Sequence, residues 1–122
     1  MDSDIRIATD DTSFWLPEPQ WGIATIPSGW FPKQMPWAIA SELLLLAERV
    51  DAERAYEVGL INKIVPKSQL LAEAEKLANR LCELGPMAVQ GMKEAMVRAS
   101  NLDYTAVDQI TDSVQTRVMN SE

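Results

Sequence analysis

The sequence predicts an α+β, helix-rich fold that forms one layer of a larger structure. Three observations carry this. Only one or two short β-type runs stand at the start, before Pro17. A succession of helical patterns fills the chain from Trp37 onward. Between them, Pro17, Pro19, Pro27, Pro32 and Pro36 are five of the seven prolines, too many for one long helix. Two short strands cannot make an independent sheet. The helices are therefore expected to cover a sheet encoded elsewhere or supplied by a partner.

Each element has a local reason. Asp4 to Thr9 alternates Ile5 and Ile7 against Arg6, a strand pattern, and Asp10 to Thr12 is turn chemistry. Ser13 to Leu16 reads as a second short strand. Trp15, Trp21, Trp30 and Trp37 lie in or beside the irregular stretch from Pro17 to Pro36. From Trp37 to Glu48, Ala, Leu and Glu favour a helix. Asp51 is placed to cap a short helix from Ala52 to Val58, with Gly59 at its end. Leu60 to Val65 is a β-type run stopped by Pro66. Ser68 is placed to cap the next helix, whose stripe is Leu70, Ala74, Leu77, Ala78 and Leu81. Gly85 and Pro86 end that helix and begin another, striped by Ala88, Met92, Ala95, Met96 and Ala99. A last helix is expected from near Asp103, with Val107, Ile110, Val114 and Val118 on one face.

Composition narrows the function classes. The chain has 122 residues, 18 acidic and 11 basic, for a net charge of −7. A nucleic-acid footprint needs clustered Lys and Arg, and anionic membranes repel such a surface, so neither partner is expected. The longest apolar run, Leu43 to Ala47, is too short to cross a bilayer. No signal-peptide pattern stands at the acidic N-terminus, and a cytoplasmic protein is expected. The single cysteine, Cys82, forms no internal disulfide and is expected to be a buried, inert thiol. There is no histidine, which excludes a His-based triad and the usual zinc sites within this chain; no metal is expected.

Three stretches carry a resemblance to a known family. The first is Asp4-Ile-Arg-Ile-Ala8 leading to Phe14-Trp-Leu-Pro-Glu18. The second is Met35-Pro-Trp-Ala-Ile-Ala-Ser-Glu-Leu-Leu-Leu45 with Leu46. The third and most specific is Val50-Asp-Ala-Glu-Arg-Ala-Tyr-Glu-Val-Gly-Leu-Ile-Asn-Lys-Ile-Val-Pro66, continued by Gly85-Pro-Met-Ala-Val89 and Lys93. Together they resemble the crotonase superfamily of enoyl-CoA hydratases and isomerases. The resemblance implies the C-terminal part of a crotonase-like (ClpP/crotonase) ββα-spiral fold. It assigns residues 1–36 to a strand and a Pro/Trp-rich active-site loop, and 37–122 to the helical part of the same domain. The family's CoA-binding loop and Gly-rich oxyanion segment have no counterpart before Asp4, so the chain is expected to be an internal piece of a longer protein.

The resemblance also implies a site. Glu18 stands where family enzymes place a catalytic glutamate facing the acyl-CoA. By itself, a Glu between two prolines is a solvated loop residue; the resemblance makes it the proton-transfer carboxylate of the full-length parent. Pro17, Trp21, Gly22 and Ile26 are expected to border the acyl group, and Pro17, Pro19, Trp15 and Trp21 to form an apolar wall that raises the carboxylate's basicity. For the tryptophans, core or a subunit contact is the plainer alternative. Trp30 and Phe31 are bulky where the family has small residues, which leaves substrate length open. Hydration and double-bond isomerisation both stay open, because the hydratases' other glutamate lies outside the matching region. The implied partners are an acyl-CoA, with coenzyme A as part of the substrate and no separate cofactor, and further copies of the chain in a trimer or dimer of trimers. The chain by itself is expected to be inactive. The alternative is a non-catalytic half-domain that serves as an oligomerisation module.

Overall fold

The computed structural model describes residues 3–23, 31–100, 109, 112–113, 115–117 and 119–120. It divides into two compact units, residues 1–74 and 75–122.

The first unit holds the short strands. β1 (Ile7–Thr9) pairs in parallel with β4 (Lys63–Val65), Ile7 opposite Lys63 and Thr9 opposite Val65. β2 (Ser13–Phe14) pairs antiparallel with β3 (Val50–Asp51), Phe14 opposite Val50. The β1 strand is shorter than the run from Asp4 to Thr9 because Arg6 is engaged otherwise. Its N–H donates to the Asn62 side-chain oxygen at 2.8 Å, and the Asn62 N–H returns to the Arg6 carbonyl at 2.8 Å. The Arg6 guanidinium also donates to the Leu60 carbonyl. Asn62 thus extends the β1/β4 ladder by a side chain. β2 stops at Phe14, short of Leu16, as the chain turns toward Pro17.

Helices α1 (Phe31–Gln34), α2 (Trp37–Leu45) and α3 (Ala52–Glu57) pack beside these strands. α2 ends three residues before Glu48 because Ala47 takes a left-handed backbone, φ 52°, and the Glu48 N–H returns to the Glu42 carbonyl. α3 is capped as its sequence requires: the Asp51 side chain accepts from the Arg54 N–H at 2.8 Å. Gly59, at φ 75°, then lets the Leu60 and Ile61 N–H groups reach back to the Ala55 carbonyl at 2.8 and 3.2 Å. The core gathers Ala8, Ile39, Leu43, Val50, Ala55 and Leu60, with Leu43 and Leu60 fully buried. Full burial of one such leucine contributes about 1.5–3 kcal/mol.

A 3-10 turn, Lys67–Gln69, leads into α4 (Leu70–Cys82). Ser68 lies inside that turn instead of capping the helix. Lys63 on β4 and Glu73 in the first turn of α4 form an ion pair at 2.7 Å.

In the second unit, α4 ends and α5 (Pro86–Ala99) begins at Gly85–Pro86. Its first turn closes through the Val89 N–H on the Gly85 carbonyl, 3.0 Å. The stripes on both helices are amphipathic and only partly covered among the described residues, with Leu70, Leu77, Ala88, Ala95 and Ala99 half-buried. No residue of α4 is buried, and in α5 only Gly91 is. Met92 and Met96, stripe residues of the kind that line a core or an interface, are exposed here, which fits the interface and not the core. Cys82 is exposed as well, contrary to the buried thiol expected from its apolar surroundings; it is the last residue of α4, and no described element covers it. The Val107, Ile110, Val114 and Val118 face lies outside the described residues.

Candidate active site

The strand β2 delivers the chain to Trp15, Leu16 and Pro17, and a 3-10 turn follows at Glu18–Trp21. Pro17 and Pro19 restrict φ on both sides of Glu18. The turn closes on its own backbone. Gln20 N–H donates to the Pro17 carbonyl at 2.9 Å, Gly22 N–H to the Pro19 carbonyl at 3.1 Å, and Ile23 N–H to the Glu18 carbonyl at 3.1 Å. Gly22 adopts φ 68°, the left-handed region that a glycine enters without a Cβ penalty.

The carboxylate of Glu18 is the chemically conspicuous group. The residue is half-buried, and its Oε2 is buried with no hydrogen-bond partner among the described residues. Buried polar atoms are nearly always satisfied, so an orphaned carboxylate oxygen calls for an explanation. The burial of this acceptor is left uncompensated by any donor among the described residues.

The other expected site residues fall as follows. Pro17 is half-buried and adjoins Glu18. Trp21 and Gly22 lie at the end of the same turn and are exposed, Trp21 by 65 %. Ile26 and Trp30 lie outside the described residues. Trp21 and Trp37, the latter 73 % exposed, are not core among the described residues, which leaves the subunit contact as the plainer reading of these two. Trp15 is engaged at both its polar and its apolar surfaces. Its indole N–H donates to the Ala47 carbonyl at 2.8 Å, and the Arg49 guanidinium lies 4.0 Å from its ring centroid. Sequence reasoning missed this contact. An indole N–H near a fold's interior needs an acceptor, but nothing in the run Leu43 to Val50 marks Ala47 as that acceptor.

A separate open groove of about 530 Å³ is lined by Ile5, Ile7, Phe14, Ile61 and Leu70, and no residue of the Glu18 turn borders it. Among the described residues no three His, Cys, Asp or Glu side chains gather where they could hold a metal ion. No described helix is long and apolar enough to cross a membrane.

The model of the enoyl-CoA hydratase/isomerase family matches residues 1–122. The chain belongs to that family. Among its relatives is the carnitinyl-CoA dehydratase of Proteus mirabilis (strain HI4320), 35 % identical over 102 residues, which cover 82 % of this chain and 39 % of the dehydratase. The enoyl-CoA hydratase/isomerase of Mycobacterium paratuberculosis superposes with a TM-score of 0.92 at 29 % identity, covering 98 % of this chain and 49 % of that one. The enoyl-CoA hydratase of Mycobacterium tuberculosis H37Rv superposes with a TM-score of 0.89 at 29 % identity, covering 98 % and 48 %. The fold is therefore crotonase-like, α+β and helix-rich, and the chain spans about half the length of these solved family members. The family's signature residues prove to be fold residues here. Asp51 caps α3, Gly59 reverses the chain, Leu60 fills the core and Asn62 bridges to Arg6.

Proposed function

We propose that this chain supplies the proton-transfer carboxylate, Glu18, to an enzyme that acts on acyl-CoA thioesters by adding or removing water across the acyl chain or by shifting its double bond. The observation that carries this reading is the half-buried Glu18 with its unpartnered Oε2, on a turn made stiff by Pro17 and Pro19. The carboxylate takes the proton from the carbon beside the thioester carbonyl, or returns one to it. The enolate so formed needs its oxygen stabilised, and that task belongs to backbone N–H groups in the other half of the domain. Trp21 and Gly22, at the exposed end of the turn, border the acyl group, together with Pro17. Coenzyme A enters as part of the substrate. Relatives named as hydratases and as a dehydratase support water addition or loss over the double-bond shift.

The same reading makes the working enzyme a homo-oligomer. Trp37, Leu45 and Leu46 on or beside α2 are 73, 73 and 67 % exposed, an apolar surface of the kind that marks association.

The test is Glu18→Gln in the whole protein that carries this chain. The amide keeps size and reach but no longer accepts the proton. Loss of one general base costs about two to four decades in kcat. KM for the CoA thioester is expected to stay near the parent value, the pattern of an interaction made in the transition state. A kcat within a factor of about three of the parent overturns the assignment.

A further inference from the structure

We propose that Trp15 is a positioning residue for Glu18: its indole fastens the Glu18 turn to the end of α2 and so sets where the carboxylate stands. This inference rests on Glu18 being the proton-transfer carboxylate. The carboxylate cannot hold itself in place, because its buried Oε2 has no hydrogen-bond partner among the described residues. Its position therefore depends on the backbone that carries it. That backbone is stiff within the turn, but the three hydrogen bonds of the turn all close on the turn itself. The Trp15 N–H to Ala47 carbonyl contact, 2.8 Å long, spans 32 residues. Among the described residues it is the one hydrogen bond that ties residues 15–23 to another element.

The acceptor is built for the purpose at a cost. Ala47 is a non-glycine residue at φ 52°, a conformation that L-residues avoid, and it is buried. That backbone is where α2 ends, with the Ala47 carbonyl turned to the Trp15 indole. Arg49, two residues on, lies 4.0 Å from the ring centroid and stabilises the ring face by cation–π attraction. Phe14 opposite Val50 in the β2/β3 pair completes the attachment from the strand side. Trp15 thus stands three residues from the reacting carboxylate and fastens its turn without touching substrate.

The experiment compares Trp15→Phe, Glu18→Gln and the parent in the whole protein. Phenylalanine keeps an aromatic face for Arg49 and removes the donor. Misplacement of a reacting group by about 1 Å can cost a hundredfold in rate, so kcat is expected to fall roughly ten- to a hundredfold. KM for the CoA thioester should stay within about a factor of two, since binding is largely remote from the acyl carbons. Hydrogen exchange at the Gln20, Gly22 and Ile23 amides should speed up, while exchange in α3 stays unchanged. If Trp15→Phe fails to fold, replacement of Trp15 by benzothienylalanine, with sulfur where indole has N–H, removes the donor and keeps the ring shape. An unchanged kcat overturns the proposal. So does a lowered kcat with unchanged exchange in the turn, or a uniform speeding of exchange across α3, which marks a general structural role. The Glu18→Gln arm separates the two readings. If that variant keeps its kcat, the site assignment fails, while the exchange data still report whether Trp15 holds the turn.

Discussion

Replacing Glu18 with methionine sets function against stability at one position. The carboxylate carries a buried Oε2 with no partner among the described residues. An unsatisfied buried acceptor costs about 1–3 kcal/mol, more when it is charged. Glu18 is only half-buried, so part of the carboxylate keeps its hydration and the low end applies, about 1 kcal/mol. Methionine matches the length of the side chain, removes the charge and adds no polar atom. Pro17, Pro19 and Gly22 keep the turn's backbone unchanged. The variant is therefore expected to be more stable than the parent by about 1 kcal/mol. In urea this appears as a midpoint higher by roughly 0.3–1 M at an unchanged slope. The assay is equilibrium unfolding followed by far-ultraviolet circular dichroism, with turnover of a CoA thioester measured on the same preparations. Stability should rise while turnover is lost, the trade-off expected of a site that stores an unsatisfied group for chemistry. A midpoint that falls instead refutes the reasoning: Oε2 then has a partner in solution, and Glu18 anchors the loop.

Two further predictions address the frame around the site. Gly59→Ala should destabilise by about 1–2 kcal/mol, because φ is 75° while a Cβ there meets no atom within 4 Å, so the cost is the left-handed backbone alone; thermal unfolding measures it, and an unchanged Tm sinks the claim. Glu94 is held below the usual carboxylate range, first by its hydrogen bond with Arg117 and then by Arg98. Its folded-state pKa is depressed, so its contribution is present above the unfolded value and is lost as pH falls through the folded one, below about pH 4. Glu94→Gln should flatten that acid limb of urea midpoint against pH and leave the curve above pH 6 unchanged in shape; an acid limb as steep as the parent's counts against it.

What the sequence by itself determined is the set of features decided by near neighbours. The Asp51 cap, the Gly59 reversal, the strand ending before Pro66 and the Gly85–Pro86 junction each depend on residues a few positions apart, and each was legible as composition at fixed spacing. Family membership was legible for the same reason, since its signature runs through those short-range features from Val50 to Pro66. Glu18 was legible only through the resemblance; a Glu flanked by prolines has no chemistry of its own until something buries it. Tertiary structure alone decided the rest. Arg6 and Asn62 lie 56 positions apart and Trp15 and Ala47 lie 32 apart, and no periodicity couples residues at such distances. The left-handed Ala47 breaks a helix that its sequence continues to Glu48, because a cap is selected by what its carbonyls and amides meet in space. Cys82, Met92, Trp21 and Trp37 are apolar or aromatic by type yet exposed. An amphipathic pattern specifies which face is greasy, and only a packed neighbour turns that face into core.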